Sequence, residues 1–153
     1  MPRFRLLVAL GILAALAGCT TSSSGSRHTL YDSLDALVAD SAVAVVGEAR
    51  AVEDTLLGGH PATEVMFEVQ ERYLSDDPLD EITIRQTAPA PALTVGTTYL
   101  LFLVPTGLPG DPPLTYDVTG AEAGIYEYAD GAFRRVSDED PGLPATVEPG
   151  DLG

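Results

Sequence analysis

The 153-residue sequence contains no lysine, no asparagine and no tryptophan, and it has a single cysteine, Cys19. Without a second cysteine the chain forms no internal disulfide, and without asparagine it carries no Asn-linked glycan. A catalytic lysine is excluded in the same way. Basic residues are scarce as well, since eight Lys+Arg stand against 23 Asp+Glu and give a formal net charge of -15. Because nucleic-acid binding depends on Lys and Arg that neutralise phosphates, this balance argues against a nucleic-acid partner.

The longest apolar run lies at the N-terminus and has the layout of a secretory signal. Arg3 and Arg5 precede an unbroken apolar stretch, 6–17. A membrane-spanning helix needs about 20 residues, so this stretch is too short to cross a bilayer. The tetrapeptide Leu16-Ala17-Gly18-Cys19 that follows resembles a bacterial lipobox, which implies cleavage before the cysteine and acyl chains, such as palmitate, attached to it. We therefore expect residues 1–18 to be a cleaved lipoprotein signal peptide.

The sequence predicts that acyl chains, rather than charged side chains, attach the protein to the membrane. Loss of residues 1–18 removes two of the eight arginines and no acid, so the mature charge becomes -17. A single acyl chain binds a membrane only marginally, whereas two or more hold firmly. Residues 19–29 are rich in hydroxyl side chains and are typical of a flexible linker. We expect a chain that is lipid-anchored at the cell membrane, on its extracytoplasmic face.

Residues 30–137 have the patterns of one mainly β domain with a short N-terminal helix. Apolar residues at i, i+4, i+7 and i+8 from Leu30 form a helical stripe, and Thr29 is a candidate N-cap. Over 64–73, apolar and polar residues alternate with the period of a half-buried strand. The run 97–104 is apolar on both faces, which predicts a central strand covered on each side.

Turn residues divide the remaining body into short segments. Gly-Gly and His-Pro dipeptides predict a loop over 56–61, and Asp130-Gly131 marks a hairpin turn. The count of about seven short strands predicts a small antiparallel barrel or sandwich. Acids, prolines and glycines dominate residues 138–153, which predicts a disordered acidic tail.

Four segments follow the short helix in a characteristic order: 39–47, 65–74, 82–84 and 93–103, the last containing Gly96 and Tyr99. This order is similar to two related groups. One is the netrin-like module of the tissue inhibitors of metalloproteinases, in which a helix leads into an OB-type barrel. The other is a set of bacterial lipoproteins with what looks like the same barrel. The resemblance covers residues 34–104 and implies a small OB-type antiparallel barrel.

The chain departs from the inhibitor pattern at its cysteines. The inhibitors are cross-linked by disulfides, and they chelate the protease zinc through a free N-terminal cysteine with its amine and carbonyl. Here no second cysteine exists, and Cys19 is expected to be acylated ten residues before Thr29. The resemblance therefore implies a fold and not the inhibitory activity.

Patterns that carry catalysis or bind metals are sparse. The two histidines, His28 and His60, lie 32 positions apart and lack the short spacings that bring metal ligands together. The acidic clusters 76–81 and 138–140 lack the alternating spacing of a calcium loop. We therefore expect no metal and no cofactor. An envelope hydrolase or metal-dependent enzyme that uses the His60 loop remains the alternative function.

Apolar residues in loops are the remaining functional signal. In OB-type barrels the loops after the first strand and near the fourth are common binding edges. This predicts a protein-contact edge made of Leu56, Leu57, His60 and Leu108. The corresponding function is a non-enzymatic, lipid-anchored module that engages another envelope protein or a small ligand. Incidental packing of these leucines within their loops is the competing interpretation.

Overall fold

The computed structural model describes residues 30–88 and 90–152. The elements follow in this order: α1 (Leu34–Ala39), β1 (Val43–Leu57), β2 (His60–Tyr73), β3 (Glu81–Thr87), β4 (Thr98–Pro105), β5 (Thr115–Val118), β6 (Ile125–Ala129), β7 (Ala132–Arg135), β8 (Thr146–Val147) and a 3-10 helix (Pro149–Leu152). The prediction of a mainly β chain is confirmed. The expected signal peptide and linker, with Cys19, lie outside the described residues. No helix in the described part has the length and apolar character needed to cross a membrane.

The eight strands form one sheet in the order β1-β2-β3-β5-β4-β6-β7-β8, and β1 also pairs with β4. Neighbouring strands are antiparallel except β3 and β5, which are parallel. The long strand β1 pairs with β2 along nearly its whole length, but with β4 only from Val43 to Glu48. The outer half of the β1–β2 hairpin therefore extends beyond β4.

Strand β4 separates two hydrophobic clusters. Alternate residues Tyr99, Leu101 and Leu103 belong to the first cluster, while Leu100 and Phe102 belong to the second. Other buried members of the first cluster are Val45, Val65, Phe67, Ile82, Ile84 and Ile125. Other buried members of the second are Leu37, Ala44, Tyr126, Phe133 and Val147. The prediction of a central strand with both faces covered is confirmed.

Helix α1 begins later than its apolar stripe predicted. The Ala36 N–H donates to the Ser33 hydroxyl at 3.2 Å, so Ser33 is the N-cap and Leu34 the first helical residue. Leu37 is completely buried, whereas Leu30 is exposed before the helix. A serine hydroxyl at this position competes well for a free amide of the first turn. The predicted cap, Thr29, lies outside the described residues.

The C-terminal segment is folded, which corrects the expectation of a disordered tail. Residues 138–152 include β8 and the 3-10 helix. Its buried apolar side chains are Leu143, Val147 and Leu152. The Asp140 carboxylate accepts the Tyr31 N–H at 2.7 Å, and Arg135 donates to a carbonyl of this segment at 2.9 Å. These apolar residues, spaced four and five positions apart, pack the segment against the second cluster. Their spacing is not visible in the composition, on which the prediction of disorder was based.

Two register shifts interrupt the β1–β2 ladder, one at Gly47 and one at Arg50. At the first, the strands approach so closely that an added Cβ on Gly47 would lie 2.1 Å from the Glu68 carbonyl oxygen and 2.7 Å from Cε1 of Phe67. The nearest atom is backbone, which cannot move without disturbing the ladder. A glycine is therefore required at this position.

Gly47→Ala is expected to lower the free energy of unfolding by about 3 kcal/mol, because it overpacks a backbone contact in the interior. Urea unfolding monitored by circular dichroism measures the change. Gly150→Ala is the matched control, since an added Cβ there meets nothing within 4 Å, and its effect should stay within about 0.5 kcal/mol. Coincident unfolding curves for the two variants would refute the close approach at Gly47.

Candidate binding surface

The outer half of the β1–β2 hairpin has an open strand edge. Within the described ranges, residues 51–57 of β1 pair only with β2, Arg50 is the unpaired residue of the second register shift, and none of residues 50–57 forms a backbone hydrogen bond to any other element. Eight residues at about 3.3 Å each give an edge roughly 26 Å long. In an antiparallel pair, alternate residues direct their N–H and C=O groups away from the partner strand. The edge therefore presents backbone donors and acceptors to an incoming strand.

Three of the four predicted contact residues meet at the hairpin tip. Leu56 and Leu57 end β1, His60 begins β2, and the turn between the strands is the pair 58–59. Both glycines have positive φ, 58° and 85°, which is the combination of a two-residue type I′ turn. The loop predicted over 56–61 is therefore wrong in extent, since only its two glycines lie outside a strand. This tight turn fixes the tip residues on a regular ladder.

The tip is apolar and accessible. Leu56 is 69% exposed, the most exposed large apolar side chain in the described part of the chain. Leu57 is half-buried, and His60 lies exposed opposite it. Within residues 30–88 and 90–152, the His60 imidazole has no hydrogen-bond partner, so no neighbouring carboxylate orients it as a general base. His28 lies outside the described residues.

Leu108 lies apart from the tip, on the loop that joins β4 to β5 (106–114), and is 49% exposed. Its carbonyl accepts the Asp111 N–H at 3.2 Å, and the Asp111 carboxylate binds Arg85 of β3. Arg85 lies opposite Glu64, which is four residues along β2 from the hairpin tip. At about 3.3 Å per residue, the loop is attached roughly 13 Å from the tip. The structure thus groups the first three predicted residues without Leu108.

Arg85 is the centre of a charge cluster on the outer face of β2 and β3. Its guanidinium donates to both oxygens of Asp111, at 3.0 and 3.1 Å, and to Glu64 Oε1 at 3.1 Å. The Thr106 hydroxyl donates to the same Asp111 carboxylate. Asp117 of β5 lies opposite Arg85 in the parallel ladder. This cluster could not be predicted from the sequence, because no spacing pattern connects Arg85 to a carboxylate 26 residues later in the chain.

The two aspartates of this cluster have pKa values shifted in opposite directions. Hydrogen bonds from Arg85 and from Thr106 lower the pKa of Asp111 below its ordinary 3.8, because they favour the charged carboxylate. Burial raises the pKa of Asp117 above 3.8; the charge of Arg85 opposes that rise and the charge of Asp111 adds to it. Asp111 therefore stabilises the fold as an anion, whereas Asp117 destabilises it as an anion.

Asp111→Asn should lower the melting temperature at pH 7, and Asp117→Asn should raise it. The lowered pKa of Asp111 contributes stability that is present above about pH 4 and is lost as the pH falls through its folded pKa. Because the pKa of Asp117 is raised in the folded protein, its ionisation lowers the free energy of unfolding. This loss is absent below about pH 4, where Asp117 is protonated in the folded and in the unfolded protein. Calorimetry between pH 3 and 7 should show the two differences shrinking toward acid. Shifts of the same sign at pH 7 would contradict the assignment.

A shallow cleft of about 110 Å³ lies on the outer face of the hairpin, lined by Ala51, Glu53, Glu64, Met66 and Thr83. Glu53 and Glu64 are directly opposite each other across the ladder, so the cleft is negatively charged. Met66, which is 46% exposed, supplies an apolar side chain to the lining of this cleft. A second cleft, of about 130 Å³, lies on the other face beside Asp54.

Negative charge on the hairpin exceeds what its arginines neutralise. Arg50 donates to Glu68 at 2.6 Å and to Glu48 at 2.7 Å, and Arg85 is held by two carboxylates. Arg50 and Arg85 therefore each already have two anionic partners, and Arg72, the other arginine of the hairpin, lies near the opposite end of β2, where it pairs with Val45. Glu53 and Asp54, both exposed on the open edge, have no cationic partner within the described residues. The middle of this edge is a site of uncompensated negative charge.

Within residues 30–88 and 90–152, no three His, Cys, Asp or Glu side chains are placed to hold a metal ion together. Comparisons with known protein families, with curated proteins and with solved structures found no match for this chain. The hairpin, with its open edge, apolar tip and negative charge, is the candidate binding surface that the geometry supports best.

Proposed function

We propose that this chain is a non-catalytic binding module of the cell envelope, held by lipid on Cys19, that contacts an envelope protein through the β1–β2 hairpin. The observation that carries this proposal is the open edge at residues 50–57 next to the exposed Leu56. Natural proteins usually cover or shorten such edges, because they pair readily with other chains. An edge of roughly 26 Å beside an apolar tip is therefore explained by a partner.

The proposed anchor is supported by the N-terminal sequence. The apolar run ends at the only cysteine of the chain, within the lipobox-like tetrapeptide 16–19. A mature charge of -17 is repelled by an anionic envelope surface, so acyl chains must supply the attachment. We propose that the hydroxyl-rich segment 19–29 acts as the linker between this anchor and the folded domain. The hairpin is then presented at a distance from the bilayer.

We propose further that the first five strands form an OB-type barrel, as the resemblance to the netrin-like module implies. Its support is the pairing scheme, which leads from β1 through β2, β3, β5 and β4 back to β1. In OB-type barrels the loop after the first strand and the loop before the fifth flank the binding face. Those two loops correspond here to the hairpin tip and to the segment that carries Leu108.

Photo-crosslinking in intact membranes tests the binding function. With a photoreactive amino acid in place of His60 in the full anchored chain, we expect a discrete crosslinked species. Leu56→Asp combined with Leu57→Asp should lower its yield about tenfold, as expected when interface anchors are lost. A photoreactive residue in place of Glu127, exposed on β6, is the matched control and should give no such species. Equal crosslinking from both positions would refute the proposed surface.

A further inference from the structure

We infer that the hairpin binds its partner by strand addition, and that the added strand is an extended segment with two consecutive Lys or Arg residues near its centre. This inference rests on the proposed binding function and specifies the chemistry of the partner. Its basis is the open edge at residues 50–57 together with the charge at the middle of that edge. The occupant is a segment of another envelope protein.

The backbone of the edge is already held in the conformation that strand addition needs. Every residue of 51–57 in β1 is paired with β2. Within this stretch, Val52 packs against the first hydrophobic cluster. The tight 58–59 turn fixes the register. A partner strand along all eight residues would form about eight backbone hydrogen bonds. Since the edge is ordered before binding, little conformational entropy is lost on its side.

The side chains of the edge favour a partner strand that carries two basic residues. Adjacent residues of a strand point to opposite faces, so Glu53 and Asp54 place one carboxylate on each face at the middle of the edge. Cross-strand pairs of opposite charge stabilise an antiparallel ladder, and like charges destabilise it. An added strand therefore matches both carboxylates when it carries consecutive basic residues opposite them. The residues on either side of this pair, Val52 and Thr55, are β-branched, and β-branched residues of an added strand pack well opposite them.

The same charges disfavour a second copy of this chain as the occupant. Two edges paired with each other would bring Glu53 and Asp54 of both copies together, and each mature chain carries a net charge of -17. Inserting charges into an edge is a common way in which natural proteins prevent self-pairing. Here those carboxylates exclude self-association and attract a basic strand.

A synthetic strand tests the inference on the full lipidated protein in nonionic detergent. The probe is a capped eight-residue peptide of threonine and valine with two central lysines. We expect saturable binding by fluorescence anisotropy, and slower amide hydrogen exchange at residues 50–57. N-methylation of the two central residues removes one N–H from each peptide edge, and should weaken binding about tenfold or more. Replacement of both lysines by glutamate should abolish binding.

A charge variant of the protein provides the second arm. Glu53→Gln with Asp54→Asn should weaken binding about fivefold, the size expected for two exposed charge pairs. Glu127→Gln with Glu139→Gln makes the same change in net charge at exposed positions outside the hairpin, and should leave the affinity unchanged. Equal binding of the N-methylated peptide, equal effects of the two double variants, or a dimer formed through residues 50–57 would each overturn the inference.

The two proposals fail in different ways. A crosslink from the position of His60 in membranes, combined with unchanged exchange at 50–57 in the presence of the peptide, would refute strand addition and leave the binding function in place. Peptide-dependent protection of the edge without any crosslink in membranes would refute the proposed cellular function and leave the strand-adding chemistry of the edge in place.

Discussion

Replacing Cys19 by serine is expected to abolish fatty-acid incorporation into this protein completely and to leave residues 1–18 attached. The chain contains no other thiol to which a diacylglycerol could be joined. The cleavage implied by the lipobox-like tetrapeptide acts on the lipid-modified cysteine, so residues 1–18 stay attached when the modification is absent. Metabolic labelling with an alkyne fatty acid, followed by intact-mass measurement, records both changes in one sample. The effect is all-or-none, because a single atom carries the proposed anchor.

Thr20→Ser is the matched control for this experiment, since it alters the adjacent position and retains the cysteine. Its label and mass shift should equal those of the wild-type chain. The proposed anchor would be disproved by label persisting in the Cys19→Ser protein. A wild-type chain that still begins at Met1 and carries no lipid would disprove it equally.

Phe67→Ala should lower the free energy of unfolding by about 3–5 kcal/mol, the range found when a buried phenylalanine is truncated and a cavity remains. Phe67 is completely buried in the first cluster, and it lies against the backbone at Gly47. Urea unfolding of the wild-type protein and the variant, fitted with one common m-value, gives the difference in free energy of unfolding. The expected loss is a large fraction of the total stability of a small domain.

The adjacent residue supplies the control for this substitution. Met66 lies on the same strand with its side chain on the outer face, 46% exposed. Met66→Ala should therefore cost about 1 kcal/mol or less. Comparable losses for the two variants would mean that the faces of β2 are assigned incorrectly.

The period of two along 64–68 correctly predicted the buried face of β2, because Val65 and Phe67 belong to the first cluster while Glu64, Met66 and Glu68 between them do not. The apolar run of β4 was equally informative, since both of its faces are covered. Farther along β2 the pattern was misleading. Val69 packs against the first cluster and Tyr73 against the second, although the alternation placed them on one face. The register shift at Gly47 causes this change. A glycine inside a strand is a local signal for such an irregularity, but it does not show that the partner strand changes face.

Only those residues of the candidate site that lie close together in the sequence could be predicted. Leu56, Leu57 and His60 are neighbours in sequence, so a turn between them was enough to bring them together. The prediction of a loop failed because two glycines with positive φ complete the turn alone, and the ladder continues on both sides. The open edge itself depends on where β4 stops pairing with β1, which is a property of the whole sheet.

Long-range contacts account for what the sequence did not predict. The ion pair between Arg85 and Asp111 joins two elements 26 residues apart. The folded C-terminal segment depends on Asp140, which accepts a hydrogen bond from a backbone amide 109 residues earlier in the chain. Composition identified that segment as polar and rich in proline. It did not show that every fourth or fifth residue is apolar.

We expect residues 50–57 to be occupied by a partner strand in the envelope. Amide hydrogen exchange of the anchored protein in its native membranes, compared with the same protein purified in detergent, tests this claim most directly. Amides of this edge should exchange about tenfold or more slowly in the membranes, while those of the β6–β7 hairpin should exchange equally in both samples. Identical exchange at residues 50–57 in the two samples would contradict it.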